Sequence, residues 1–126
     1  ESAQVVEAKM NKKEVLTSFK WQLSMLNGET AGKGEGGKPV SVNFDSTTNK
    51  VSGFAGCNNY FASYSTSDST MTIGHLAMTR KFCSKSAELE SAFAKAMTQV
   101  KQFDYSDNKL HLKSSDGNTI AVLIKA

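Results

Sequence analysis

Val51-Ser52-Gly53-Phe54-Ala55-Gly56-Cys57-Asn58-Asn59-Tyr60 is the stretch on which the fold turns. It opens as a strand at Val51. Gly53, Ala55 and Gly56 then remove side-chain bulk, and small residues inside a strand mark a bulge or a place where another backbone comes close. The pattern predicts a third strand that continues past Cys57-Asn58-Asn59 into Tyr60 and Tyr64. Successive strand residues point to opposite faces, so Tyr60 and Phe61 cannot both enter the same core.

Upstream of this stretch, Val40, Val42 and Phe44 alternate as a second strand, and the polar run Asp45 to Lys50 supplies the turn between the two. Before that strand, Ala31 to Lys38 holds four glycines in eight residues and no apolar side chain larger than Ala, which predicts a flexible loop. Phe19, Trp21, Leu23 and Met25 alternate with Lys20, Gln22 and Ser24 as a first strand, ended by an Asn27-Gly28 turn. Residues 1–18 carry several charges, no aromatic side chain and only a loose apolar pattern. They are expected to be a tail or linker with at most a short helical turn, leaving 19–126 as the folded domain.

Downstream, Met71 and Ile73 predict a short strand that leads through Gly74-His75-Leu76 towards Cys83. Leu89, Phe93, Ala96, Met97 and Val100 recur at helical spacing, with Ser84 or Ser86 available as a cap and Glu88 and Glu90 in the first turn, where the helix dipole favours them. Three alternating runs follow: Phe103 and Tyr105; Leu110 and Leu112; and Ile120, Val122 and Ile124. Asp116-Gly117 is read as a two-residue hairpin turn between the last two. Strands, one helix and strands again predict an α+β domain, an antiparallel sheet covered by that helix.

A length of 126 residues suits one core, and its 39% hydrophobic and 21% charged fractions are ordinary for a globular domain. No apolar run approaches the roughly 18 residues that a membrane span needs. The net charge of +3 is spread along the chain. Its densest basic stretch, Arg80-Lys81-Phe82-Cys83-Ser84-Lys85, reads as solvated surface, and no nucleic-acid partner is expected. The chain opens at Glu1 without Met, which fits a removed leader.

Taken together, these segments resemble the META domain family, which includes the bacterial heat-shock protein HslJ. The resemblance runs from Trp21 to about Ile124. It rests most on Val51 to Tyr60 with Ala62-Ser63-Tyr64, and next on Ile73-Gly74-His75-Leu76-Ala77-Met78-Thr79-Arg80-Lys81-Phe82-Cys83. Glu90, Phe93 and Val100 match the family's helix, and Leu110, Leu112 and Gly117 its closing hairpin. Ala62 stands where the family commonly has glycine, and Lys81 where it commonly has methionine. The resemblance implies a curved antiparallel sheet, like a partly closed barrel, crossed by a helix, in a protein exported to the bacterial envelope and often lipid-anchored. It also implies a loose link to envelope stress, and it supplies no substrate and no catalytic residue.

Among chemical candidates, Gly32-Lys33-Gly34-Glu35-Gly36-Gly37-Lys38-Pro39 is a near miss to a phosphate-binding loop. Pro39 offers neither the magnesium-binding hydroxyl nor the N–H that such a loop needs, and a strand follows it instead of a helix. Cys57 and Cys83 admit three readings: a disulfide, two buried thiols, or a zinc site with His75 and His111. The zinc reading is the weakest, because the four residues lack the closely spaced ligand pairs of structural zinc sites. A disulfide would close a loop worth roughly 3–4 kcal/mol, and it is the reading adopted. A Cys-His nucleophile is the best enzyme candidate, but nothing in the sequence places a group to orient its base.

The expectation is therefore a non-enzymatic domain, exported to the periplasm or anchored at the outer membrane, that acts by binding. No cofactor or metal is expected, and the state expected is a monomer with no membrane span in the chain and a lipid anchor upstream. Its partner would be a protein or hydrophobic ligand of the envelope. The ligand surface would involve Tyr60, Phe61 and Tyr64, where strand geometry leaves one aromatic surplus to the core. A lipid carrier using the sheet's concavity is the alternative, implied by the likeness of META domains to a lipid-binding secretin pilot protein. An enzyme built on Cys57 or a histidine is the second alternative.

Overall fold

The computed structural model describes residues 12–126, with side chains from residue 14 onward. A short helix, α1 (Lys12–Ser18), comes first. Val15 and Leu16 are buried in the main core, and the Trp21 indole Nε1 donates to the Leu16 carbonyl at 3.1 Å. The folded unit thus begins earlier than the boundary expected at residue 19. One turn's worth of apolar residues sufficed to dock the helix, too few to register as a periodic pattern. The rest of the expected tail, residues 1–11, lies outside the described residues.

The strands are β1 (Trp21–Leu26), β2 (Glu29–Thr30), β3 (Ser41–Asp45), β4 (Lys50–Phe54), β5 (Asn59–Ser67), β6 (Thr70–Ile73), β7 (Ala77–Met78), β8 (Gln102–Ser106), β9 (Lys109–Lys113) and β10 (Thr119–Lys125). One long helix, α2 (Ala87–Gln99), lies between β7 and β8. Every pairing is antiparallel. The order is β10-β9-β8-β6-β5-β4-β3-β1-β2, and β1 also pairs with β10, so the strands run round a ring. The expected antiparallel α+β architecture is present, and the β1–β10 pairing removes two exposed sheet edges. The seam between β6 and β8 is thin, joined by Thr70 and Gln102 and by backbone bonds from Met71 to Lys101 and from Phe103 to Ser69.

One apolar core fills the ring. Trp21, Phe93, Phe103, Leu16, Met71, Met97, Leu110 and Leu112 are among its largest fully buried side chains. From α2 the helical spacing brings in Phe93, Ala96 and Met97, with Val100 just beyond, and the Phe93 ring meets the Tyr60 ring of β5 edge to face at 5.4 Å. This is the face expected from the sequence, with Leu89 only partly buried.

Four sequence expectations are corrected. The stretch from Val51 is not one strand but two, because the chain reverses between Phe54 and Asn59: Ala55 N–H bonds to the Asn58 carbonyl at 2.8 Å, and Gly56 adopts a φ of 119° that other residues rarely take. Met25 leaves the core because a bulge between Leu23 and Met25 shifts the register, so Leu26 points inward in its place. In β10 Ala121 and Leu123 enter the core, whereas Val122 and Ile124 take the opposite face, Val122 buried there, and Ile120 at the Thr119–Ala121 bulge packs against the core only in part. Asp116-Gly117 sits within a longer loop closed by Ser114 N–H to the Asn118 carbonyl at 2.9 Å. Two-residue turns are formed by Asn27-Gly28, as expected, and by Asp107-Asn108, with both residues of each pair at positive φ, and by Asp68-Ser69, where Asp68 alone has positive φ.

Candidate functional site

The reversal at 55–58 gathers most of the chain's distinctive residues at one end of α2. Cys57 and Cys83 form a disulfide across a sequence separation of 26 residues, with their Cα atoms 5.9 Å apart. Among the described residues no group of three or more His, Cys, Asp or Glu side chains is placed to hold a metal ion. His111 sits in β9 opposite Asp104 and Val122, away from both cysteines in the sheet order.

Beside the disulfide, the Asn58 side chain ties three segments together. Its Nδ2 donates to Glu90 Oε1 at 2.9 Å and to the Lys81 carbonyl at 3.1 Å. Its Oδ1 accepts from Lys81 N–H at 2.6 Å and from the Thr79 hydroxyl at 3.0 Å. The Asn58 backbone N–H donates to Glu90 Oε2 at 3.1 Å, so both carboxylate oxygens of this buried glutamate accept from one residue. The first turn of α2 adds a favourable dipole for the charge. Glu90 was legible as a helix-start acid and as a match to the family's helix; nothing in the sequence marks its bond to a residue 32 positions away.

The glycine-rich loop also docks here, against the expectation of a flexible segment. Glu35–Gly37 forms a single 3-10 turn, Glu35 N–H bonds to the Gly56 carbonyl at 2.7 Å, and a Cβ on Gly34 would strike the Gly56 backbone. Ser86, at the N-cap of α2, donates its hydroxyl to Glu35 Oε2 at 3.1 Å instead of capping its own helix. The missing side chain at Gly34 is what permits the close approach, and Gly56 contributes the φ of 119° that other residues rarely take.

The three aromatics expected to share a ligand surface are separated by the strand. Tyr60 and Tyr64 are buried: the Tyr60 hydroxyl donates to the Ser41 carbonyl at 2.9 Å, and the Tyr64 ring packs on Phe44 at 5.1 Å. Burial pushes the Tyr60 phenol far above its usual range. Burial also raises Tyr64, aided by the Asp45 carboxylate. Phe61 alone faces outward, 52% exposed, with the Lys50 ammonium 5.5 Å above its ring. A second outward aromatic, which sequence reasoning passed over, is Phe82 at 86% exposure. It borders a shallow hollow with Met78, the disulfide, Ala87 and Ala94. The polar and basic residues around it, Arg80, Lys81, Ser84 and Lys85, were the available signal.

Residues 14–126 match the META domain family. No curated protein matches the chain. Among solved structures, an NMR structure of a protein from Burkholderia xenovorans superposes with a TM-score of 0.70 at 23% identity, covering 90% of this chain and 85% of that one. A second protein solved by NMR gives 0.67 at 24% identity, covering 92% and 95%. A crystal structure of a DUF4847 family protein from Bacteroides vulgatus gives 0.65 at 14% identity, covering 89% and 95%. At these identities the likeness is one of fold.

Proposed function

Because the chain belongs to the META domain family, we propose that it is a non-catalytic binding domain working outside the cytoplasm, in the bacterial envelope, within a stress-response setting and with a lipid anchor upstream. The observation that carries this reading is the Cys57–Cys83 disulfide. A disulfide suits an oxidising compartment, and it takes away the thiol on which the best enzyme candidate would depend. Among the described residues no helix is long and apolar enough to cross a membrane.

Binding then falls to the outer surface. A lipid carrier would hold its cargo in the concavity, where Trp21, Phe93 and Phe103 already pack, so the carrier alternative would need its cargo on the outside of the ring. Phe61 is the aromatic that the core leaves over, and it offers apolar area beside the Lys50 charge.

Two measurements test the reading. Thiol titration of the native protein should find no free thiol until reductant is added. Binding of a fluorescent fatty acid or an apolar peptide should weaken in Phe61→Ala. Titratable thiols in the native protein together with an activity abolished by Cys57→Ser would replace this reading with the enzymatic one, and equal binding by the Phe61 variant would remove that residue from the surface.

A further inference from the structure

Phe82 is far more exposed than any other large apolar side chain of the described residues, with 86% of its surface in water. It does not hang on a loose loop. Lys81 before it is fixed by backbone bonds to Asn58 in both directions, its N–H at 2.6 Å and its carbonyl at 3.1 Å. Cys83 after it is bonded to Cys57. A phenylalanine clamped on both sides and still held out in water cannot retreat into the core, and leaving so much apolar area hydrated is unfavourable.

Its surroundings are cationic. Arg80, Lys81 and Lys85 are all exposed, and no ion pair joins them to a described residue. Glu88 is the nearest exposed carboxylate in sequence; Glu90 is buried against Asn58, and Glu35 accepts a hydrogen bond from Ser86. A protruding aromatic with exposed cations on both sides of it in the sequence matches the two layers of a lipid surface, anionic phosphate outside and acyl chain just beneath. A nucleic acid would supply the phosphates but no apolar layer at that depth, and three cations make a small footprint for it.

We propose that the Arg80–Lys85 loop is a membrane-surface contact: Phe82 enters the headgroup–acyl boundary of an anionic phospholipid bilayer while Arg80, Lys81 and Lys85 pair with lipid phosphates. The loop differs from the Phe61 surface and does not depend on it. The disulfide and the Asn58 clamp act as the rigid mount, so that little ordering entropy is lost on insertion.

The test is co-sedimentation of the whole chain with vesicles of phosphatidylglycerol mixed with phosphatidylcholine, against vesicles of phosphatidylcholine alone. The wild type should bind the anionic vesicles and be weakened by salt. Phe82→Ala should lower affinity about tenfold, and Arg80→Gln or Lys85→Gln about fivefold each, with thermal midpoints unchanged because all three side chains are exposed. Phe82→Trp should show blue-shifted emission on anionic vesicles, quenched by brominated lipid, against the constant background of buried Trp21. Failure of the wild type to bind anionic vesicles at low salt would overturn the proposal. So would unchanged binding by Phe82→Ala, which would leave only charge adsorption. Oligonucleotide binding abolished by Phe82→Ala, without vesicle binding, would reassign the loop to nucleic acid, and neither the Phe61 reading nor the disulfide would be affected.

Discussion

Replacing Asn58 with Ala should loosen the junction between the 55–58 turn, the Thr79–Lys81 segment and the start of α2. The substitution deletes four side-chain hydrogen bonds, to Glu90, to Thr79 and twice to Lys81. A neutral bond contributes about 1 kcal/mol net and one to a charged group about 2, so simple addition sets a ceiling of about 5 kcal/mol. Thr79 and Lys81 are exposed enough for water to take over part of the loss, whereas Glu90 is not. Its Oε1 would keep no partner in a buried site, which brings the expected cost to about 3 kcal/mol. Urea unfolding followed by far-ultraviolet circular dichroism measures this directly, since a domain of this size usually unfolds in one step. Glu90→Gln supplies one acceptor where two donors converge and should cost about 1–2 kcal/mol. The double variant should fall short of the sum of the singles, because the two residues share a bond. A loss below about 1 kcal/mol for Asn58→Ala, or strict additivity with Glu90→Gln to within about 0.5 kcal/mol, would refute the reasoning.

Further outcomes follow from the core and the disulfide. Phe93→Ala should lower stability by about 3–5 kcal/mol, read as a lower urea midpoint, because the ring is fully buried against Tyr60. Cys57→Ser with Cys83→Ser should lower it by roughly 3–4 kcal/mol through the freed loop, and reductant should then leave the double variant's melting curve unmoved. Stability should decline as pH rises through and above about 10, because the Tyr60 phenol keeps its proton in the folded state after the unfolded chain has lost it. Tyr60→Phe should be less stable near neutrality by about 1 kcal/mol, through its lost bond to Ser41, yet show a shallower alkaline decline in urea titrations; equal slopes would show that another group governs that limb.

The sequence alone determined those features whose cause is local. Alternation at Trp21 and Leu23, at Val42 and Phe44, and at Leu110 and Leu112 is the strand period itself, and all six side chains are in the core. Phe93, Ala96 and Met97 follow from helical spacing, and Asn27-Gly28 from the few residues that tolerate positive φ. The separation of Tyr60 from Phe61 was likewise legible, since it depends only on adjacent residues facing opposite ways. Tertiary structure decided everything that required knowing which face was inside. In β10 both faces are apolar, Val122 and Ile124 on one and Ala121 and Leu123 on the other, and period two identifies such a strand without orienting it. The pairing of β10 with both β1 and β9 supplies the missing orientation by bringing Leu123 opposite Leu23 and Leu110. The reversal at Ala55 to Asn58 is local, closed by a bond between residues three apart, but the docking of the glycine-rich loop on Gly56 and the Asn58–Glu90 bonds are long-range events. Their partners lie tens of residues apart in the sequence, and only the tertiary fold brings them within hydrogen-bonding distance.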